Sequence, residues 1–140
     1  TTIYYEQETG TDQVDAGGAI TTVAANILSG DFDITQRRSS TGQVIGMPDL
    51  RGDGEYIMKI RRFIPDFISQ TGNTQVSLLT KNFPNDSAVT TSFTIDTTTD
   101  KIDTRVRARS IALKIANTAS AEDWKLGTFR LDIQPDGRRG

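Results

Sequence analysis

Arginine is the residue type in this sequence that most clearly indicates a chemical role, because several arginines follow a strand-like spacing. Arg105, Arg107 and Arg109 occupy alternate positions, which places all three on one face of a β-strand. A guanidinium group forms forked hydrogen bonds with carboxylates and phosphates. The row therefore indicates either a contact surface for another subunit or an acidic partner, or a solvated face whose arginines pair with aspartates on neighbouring strands.

Two arginine pairs accompany this row. One pair follows an apolar stretch, and the other lies close to the last residue of the sequence. Either pair can meet an acidic neighbour across an interface or can simply form a soluble edge. The candidate residues for a subunit or partner interface are Arg61, Arg62, Arg105, Arg107, Arg109, Arg138 and Arg139.

The overall charge argues against a nucleic-acid partner. The sequence has 16 basic and 18 acidic residues, which gives a net charge of −2. A protein that binds nucleic acid normally presents an excess of positive charge. An arginine row can contact DNA phosphates locally, but DNA contact is not expected here. No membrane contact is predicted either.

The sequence lacks several of the residue types on which enzymes rely for catalysis. The sequence contains no histidine and no cysteine, which excludes histidine triads, imidazole acid–base catalysis, disulfides and thiolate metal sites. The 18 acidic residues allow many carboxylate pairs of the kind that hydrolyse glycosides, but no pair stands out. We expect no enzyme activity, no cofactor and no metal.

One polar stretch contains two further motifs. Arg51-Gly52-Asp53 spells the tripeptide that integrins recognise, but a match of three residues often arises by chance, and a glycine-rich turn is the favoured interpretation. Asp49, Asp53 and Glu55 could offer oxygen ligands to calcium. Their spacing lacks the alternating carboxylates of known calcium loops, so a solvated acidic turn is the favoured interpretation.

Composition and patterning predict the elements that must position these residues. The 140 residues suit one domain, and threonine, aspartate and isoleucine are frequent, which is typical of β-rich proteins with many turns. Roughly seven to nine short strands alternate with turns, and the clearest strand patterns include Glu55–Ile64 and Val89–Ile95. We predict an all-β fold: one antiparallel β-sandwich domain over residues 1–140, jelly-roll-like, with a long polar loop at Gln36–Gly54. The first residue is threonine, so the chain is expected to be part of a longer one.

Three local patterns refine this fold. Ala19–Leu28 fits a buried strand or a short helix, and the β-rich context favours the strand. After Ser110 the apolar residues move from even to odd positions, which requires a bulge, a bend or burial on both faces. Trp124 and Phe129 lie in strand-like contexts and are predicted to be core aromatics.

The C-terminal half resembles a known kind of ending. Its motifs, in order, are the stretch from Arg105 to Ile115, then Trp124-Lys125-Leu126-Gly127, then Arg130 to Arg139, which reads RLDIQPDGRR. Arg61–Asp66 and Lys81–Pro84 match upstream strands of the same pattern. This order is similar to the ends of tail structural proteins from short-tailed, podovirus-like bacteriophages, of the tail-nozzle, tail-tube or DNA-stabilisation type.

The resemblance implies a structural domain of the virion, located in the phage tail. Such proteins form rings, commonly hexameric, around the channel through which DNA is ejected. The implied partners are copies of the same chain and other phage tail proteins, and Pro135–Arg139 would be a turn that directs two arginines at a partner. The alternative is a carbohydrate- or receptor-binding β-sandwich module. The fold class, the polar loops and the RGD tripeptide support this alternative.

Overall fold

The chain is an all-β protein. A computed structural model describes residues 12–14, 16–34 and 56–138, with residue 138 described by its backbone alone. Within these ranges it forms strands and turns and no helix. The strands are β1 (Asp12–Val14), β2 (Ile20–Thr22), β3 (Asn26–Leu28), β4 (Tyr56–Ile64), β5 (Phe67–Thr71), β6 (Thr74–Lys81), β7 (Val89–Ile95), β8 (Ile102–Ala108), β9 (Ser110–Ala116), β10 (Asp123–Leu126) and β11 (Arg130–Arg138).

The strands form two main sheets. The first sheet has the order β11-β4-β8 and the second has the order β3-β9-β6-β7, and every neighbouring pair is antiparallel. Two small sheets, β1-β2 and β10-β5, complete the described strands. The predicted all-β antiparallel sandwich is therefore confirmed. The predicted loop Gln36–Gly54 lies outside the described residues.

The core lies between the inner faces of the two main sheets. One buried cluster joins Met58 and Ile60 of the first sheet to Leu78 and Ile111 of the second. A second cluster, centred on Phe63, joins residues of both sheets in the same way. Phe93, Leu113 and Leu131 pack against both clusters, so that the two form one continuous apolar layer.

A bulge in β4 determines where two of the candidate arginines lie. Met58 and Ile60 face the core in a regular two-residue alternation, and Phe63 is also fully buried although it is three residues further on. The register with both neighbouring strands shifts between Ile60 and Arg62, which leaves Arg61 without a cross-strand partner. One extra residue at a bulge restores the alternation, so Phe63 returns to the core.

The change of face near Ser110 is the point at which the chain passes from one sheet to the other. β8 belongs to the first sheet and ends at Ala108, whereas β9 belongs to the second and begins at Ser110. Arg109 between them forms a bend. Of the three possibilities that the sequence left open, the structure therefore contains the bend.

The Ala19–Leu28 stretch is β-structure, but the prediction that it is one buried strand is wrong. It forms the two short strands β2 and β3, and Ile20 and Leu28 are 66% and 57% exposed. The physical reason is position, because β2 pairs only with β1 in a two-stranded sheet and β3 pairs at the edge of the second sheet. Phe32 continues the β3 edge through a bridge to Ile111, and Ile34 beyond it enters the core.

Candidate functional site

The outer face of the first sheet gathers charged side chains from three strands. We call it the charged face. It consists of Lys59, Arg61, Arg62, Asp103, Arg105, Arg107, Arg130, Asp132 and Asp136. The charged face follows from strand alternation. Met58, Val106 and Leu131 point into the core, so the residues next to them in each strand point away from it. With six basic and three acidic members, this face carries a net charge of +3.

Two ion pairs order part of the charged face. The Nε atom of Arg62 lies 2.6 Å from the Oδ1 atom of Asp103, its register neighbour on β8. Arg107 of β8 pairs with Asp136 of β11 across the intervening strand β4. The hydrogen bond from Arg62 lowers the pKa of the Asp103 carboxyl, so this carboxylate stays ionised at neutral pH. These pairs hold two of the candidate arginines in fixed directions.

Other cations of the charged face lack such a partner. None of the described carboxylates forms an ion pair with Lys59, Arg61 or Arg105. These three side chains line an open groove of about 670 Å³ together with Arg62, Asp103, Thr104 and Asp132. The groove therefore offers basic groups that are available to carboxylates or phosphates, flanked by an arginine that is already held in place.

Arg109 does not join this groove, although the sequence predicts one row with Arg105 and Arg107. The bend between the two sheets directs it elsewhere, and its guanidinium lies 5.5 Å from the ring centre of Phe83. It lines a separate pocket of about 320 Å³ with Asp31 and Asp33 among its neighbours. The predicted row of three is thus divided, because a strict two-residue alternation cannot continue through a bend.

The remaining predicted residues have the following places. Trp124 is half-buried and packs edge-on against Phe67, with 6.4 Å between the ring centres. Phe129 stacks on the fully buried Phe63 at 5.3 Å. The expected turn at Pro135–Arg139 is wrong over its described residues, because β11 continues to Arg138 with a register shift after Pro135, and the Arg138 backbone pairs with Tyr56. Arg139 lies outside the described residues.

Sequence reasoning did not identify the carboxylates of the charged face. Asp103, Asp132 and Asp136 were not candidates, although Asp103 and Asp136 pair with Arg62 and Arg107. Their involvement depends on strand order and register, since Asp136 is far from Arg107 in sequence. A usable signal was the outward alternation of Arg130 and Asp132 in the last strand, which has the same spacing as the arginine row.

The structure offers no metal centre in its described part. In the ranges 12–14, 16–34 and 56–138, no three acidic residues come together in a way that could hold a metal ion. The calcium candidates Asp49, Asp53 and Glu55 and the tripeptide Arg51-Gly52-Asp53 lie outside those ranges. Within the same ranges, no helix has the length and apolar character needed to cross a membrane.

Comparison of the sequence with models of protein families and with curated proteins finds no match.

Proposed function

We propose that this chain is a structural domain of a short-tailed phage tail, and that it assembles into a ring through its charged face. The observation that carries the proposal is that residues from different sequence motifs meet on one surface. Residues from separate motifs of the resemblance, among them Arg61, Arg105 and Asp132, line a single groove. Motif residues that are far apart in sequence and meet on one exposed surface favour a shared contact role over a role in folding.

A second copy of the chain is a suitable partner for this face. The whole chain has a net charge of −2 while the charged face has +3, so the remaining residues together carry −5. A basic surface on one copy can therefore meet an acidic surface on the next. Such a contact uses two different surfaces and propagates head to tail, which closes into a ring when the rotation between copies permits it.

The proposal also agrees with the chemistry of the described residues. The groove is lined by charged and hydroxyl side chains, and it contains no aromatic ring among the described residues. Carbohydrate sites normally offer aromatic faces beside their polar groups. The groove therefore gives no specific support to the carbohydrate-binding alternative.

Charge reversal at the groove tests the proposal. The double variant Arg61→Glu/Arg105→Glu inverts two exposed cations that form no ion pair with a described carboxylate, so we expect it to abolish ring assembly while the circular-dichroism spectrum and Tm stay unchanged. A matched control is Lys114→Glu/Lys125→Glu, which makes the same change of charge on β9 and β10. The measurement is mass photometry of the wild type and both double variants.

The control must assemble as the wild type does. Normal rings from the Arg61→Glu/Arg105→Glu variant would contradict the proposed contact. Loss of rings in both double variants would also contradict it, because the effect would then follow total charge and not this face.

A further inference from the structure

The strand β7 forms an edge of the second sheet that lacks the usual protection against pairing. It pairs with β6 along its whole length, from Val89 to Ile95, in a register without any bulge. Its sequence, VTTSFTI, contains no charged residue, no proline and no glycine. A flat, uncharged edge of this length presents unpaired backbone donors and acceptors, which is a template for another strand.

The other edges of the two main sheets are protected. β8 carries Asp103, Arg105 and Arg107 along its exposed side chains. β11 contains Pro135 and two register shifts. β3 is only three residues long. Each of these features is a known means of preventing edge-to-edge pairing, so the absence of all of them from β7 stands out within the described part of the chain.

The sequence of β7 is close to palindromic in residue type. If two copies pair antiparallel about Ser92, Val89 lies opposite Ile95, Thr90 opposite Thr94 and Thr91 opposite Phe93. Two β-branched aliphatic residues then face each other, as do two threonines and two serines. A two-fold axis requires the same surface on both copies to be self-complementary, and this pattern satisfies that requirement.

The pairing also preserves the faces of the sheet. Thr91, Phe93 and Ile95 are directed towards the core, and Val89 belongs to the same row but is 66% exposed. In the antiparallel arrangement, Val89 gains a direct cross-strand neighbour in Ile95 of the second copy. The pairing would cover Val89, which one copy leaves in water, whereas Ile95 is only 1% exposed in its own chain and gains no further burial.

We propose that two copies of this chain associate through β7, antiparallel about a two-fold axis at Ser92, to form one continuous sheet of eight strands. The proposal goes beyond the function proposed above and uses a different surface. A two-fold contact is complete after two copies, whereas the charged face propagates around a ring. Together the two contacts would join rings in pairs.

A swap of charges tests this pairing. Thr90 and Thr94 are exposed and face each other across the proposed axis. The double variant Thr90→Lys/Thr94→Lys places like charges opposite each other at both positions, whereas Thr90→Lys/Thr94→Glu places opposite charges there. All variants are made in the Arg61→Glu/Arg105→Glu background, so that ring contacts through the charged face do not contribute.

Sedimentation velocity over a range of concentrations gives the dimer dissociation constant. We expect a dimer in the background chain, at least about tenfold weaker association for Thr90→Lys/Thr94→Lys, and association close to the background for Thr90→Lys/Thr94→Glu. Hydrogen exchange of the β7 amides should slow as the dimer forms. A background chain that stays monomeric, equal association of both variants, or β7 exchange that is independent of concentration would each overturn the proposal.

The outcomes separate this proposal from the proposed function. Rings that persist in the Arg61→Glu/Arg105→Glu protein contradict the role of the charged face but leave the β7 contact measurable as a separate two-fold association. A monomeric background chain contradicts the β7 pairing alone.

Discussion

The two main sheets share one core but present different chemistry to their surroundings. The outer face of the first sheet carries ion pairs such as Arg62–Asp103, and beside them lie cations that form no ion pair with a described carboxylate. On β6 and β7 of the second sheet, the outer face carries mainly hydroxyl groups, and the Ser77 and Ser92 Oγ atoms lie 2.9 Å apart. Both inner faces contribute buried apolar side chains to the shared core. Buried residues therefore specify the fold, whereas the residues of the outer faces determine which surface can recognise a partner.

The shared core and the outer faces should contribute differently to the free energy of unfolding. Stability should depend on the shared core, and substitutions on the outer faces should alter association with little effect on folding. Substitutions in the core and elsewhere, ranked by their effect on the free energy of unfolding, test this difference.

The largest effect is expected from Phe63→Ala. Phe63 is fully buried and contacts Phe93 of the second sheet and Phe129, each with 5.3 Å between ring centres. Loss of its ring leaves a cavity between the sheets, which we expect to cost about 3–5 kcal/mol. Urea denaturation followed by circular dichroism measures the change. Trp124→Ala is the matched aromatic control, and it should cost less because Trp124 is half-buried; the reverse order would contradict the position assigned to the core.

A smaller effect is expected from Gly127→Ala. The Gly127 amide donates to the Asp66 carbonyl at 2.8 Å, and this contact links the strand-end segments beside β5 and β10. A Cβ atom at this position would lie 2.6 Å from the Asp66 carbonyl oxygen, so the backbone must move. We expect a loss of about 1–3 kcal/mol, measured as a shift in the urea midpoint. Gly30→Ala is the control, because a Cβ there meets nothing within 4 Å; equal losses for the two variants would disprove the steric reason.

The pH dependence of Glu122 gives the third prediction. Burial raises the pKa of its carboxyl, but hydrogen bonds from the Thr118 and Ala119 amides lower it more, and the pKa lies below its ordinary value of 4.5. A pKa that is lowered by folding adds stability above the unfolded pKa, and this contribution is lost as the pH falls through the folded pKa.

Glu122→Gln isolates that contribution. We expect the wild type to be more stable than the variant at pH 7, and the difference to decrease below pH 4.5 as the carboxylate takes up a proton. Thermal unfolding across this pH range checks the sign. A difference that stays constant with pH would show that the charge of Glu122 does not contribute.

The sequence predicted the positions of the strands better than which strands pair with each other. The predicted strand from Val89 to Ile95 matches the observed β7, and the predicted strand 55–64 matches β4 over the described residues 56–64. These strands carry clear two-residue alternation and end at turn residues, which are local signals. The burial of Ala19–Leu28 was wrong because a strand's burial depends on the sheet that covers it, and no local pattern contains that information.

The candidate site was predicted only in part. Arg61, Arg62 and Arg105 were selected for residue type and spacing, and the structure brings them into one groove. Their meeting depends on β4 lying beside β8, which is a long-range pairing that single-strand patterns do not encode. The separation of Arg109 from the row follows from the bend, one of the alternatives that the sequence allowed.

The most direct test of the proposed function is cryo-electron microscopy of the virus-like particles purified from the source of this chain. We expect density for the chain in a ring of the tail, with Lys59, Arg61 and Arg105 buried against acidic side chains of the neighbouring subunit. A ring in which these three side chains face solvent, or a particle that lacks the chain, would contradict it.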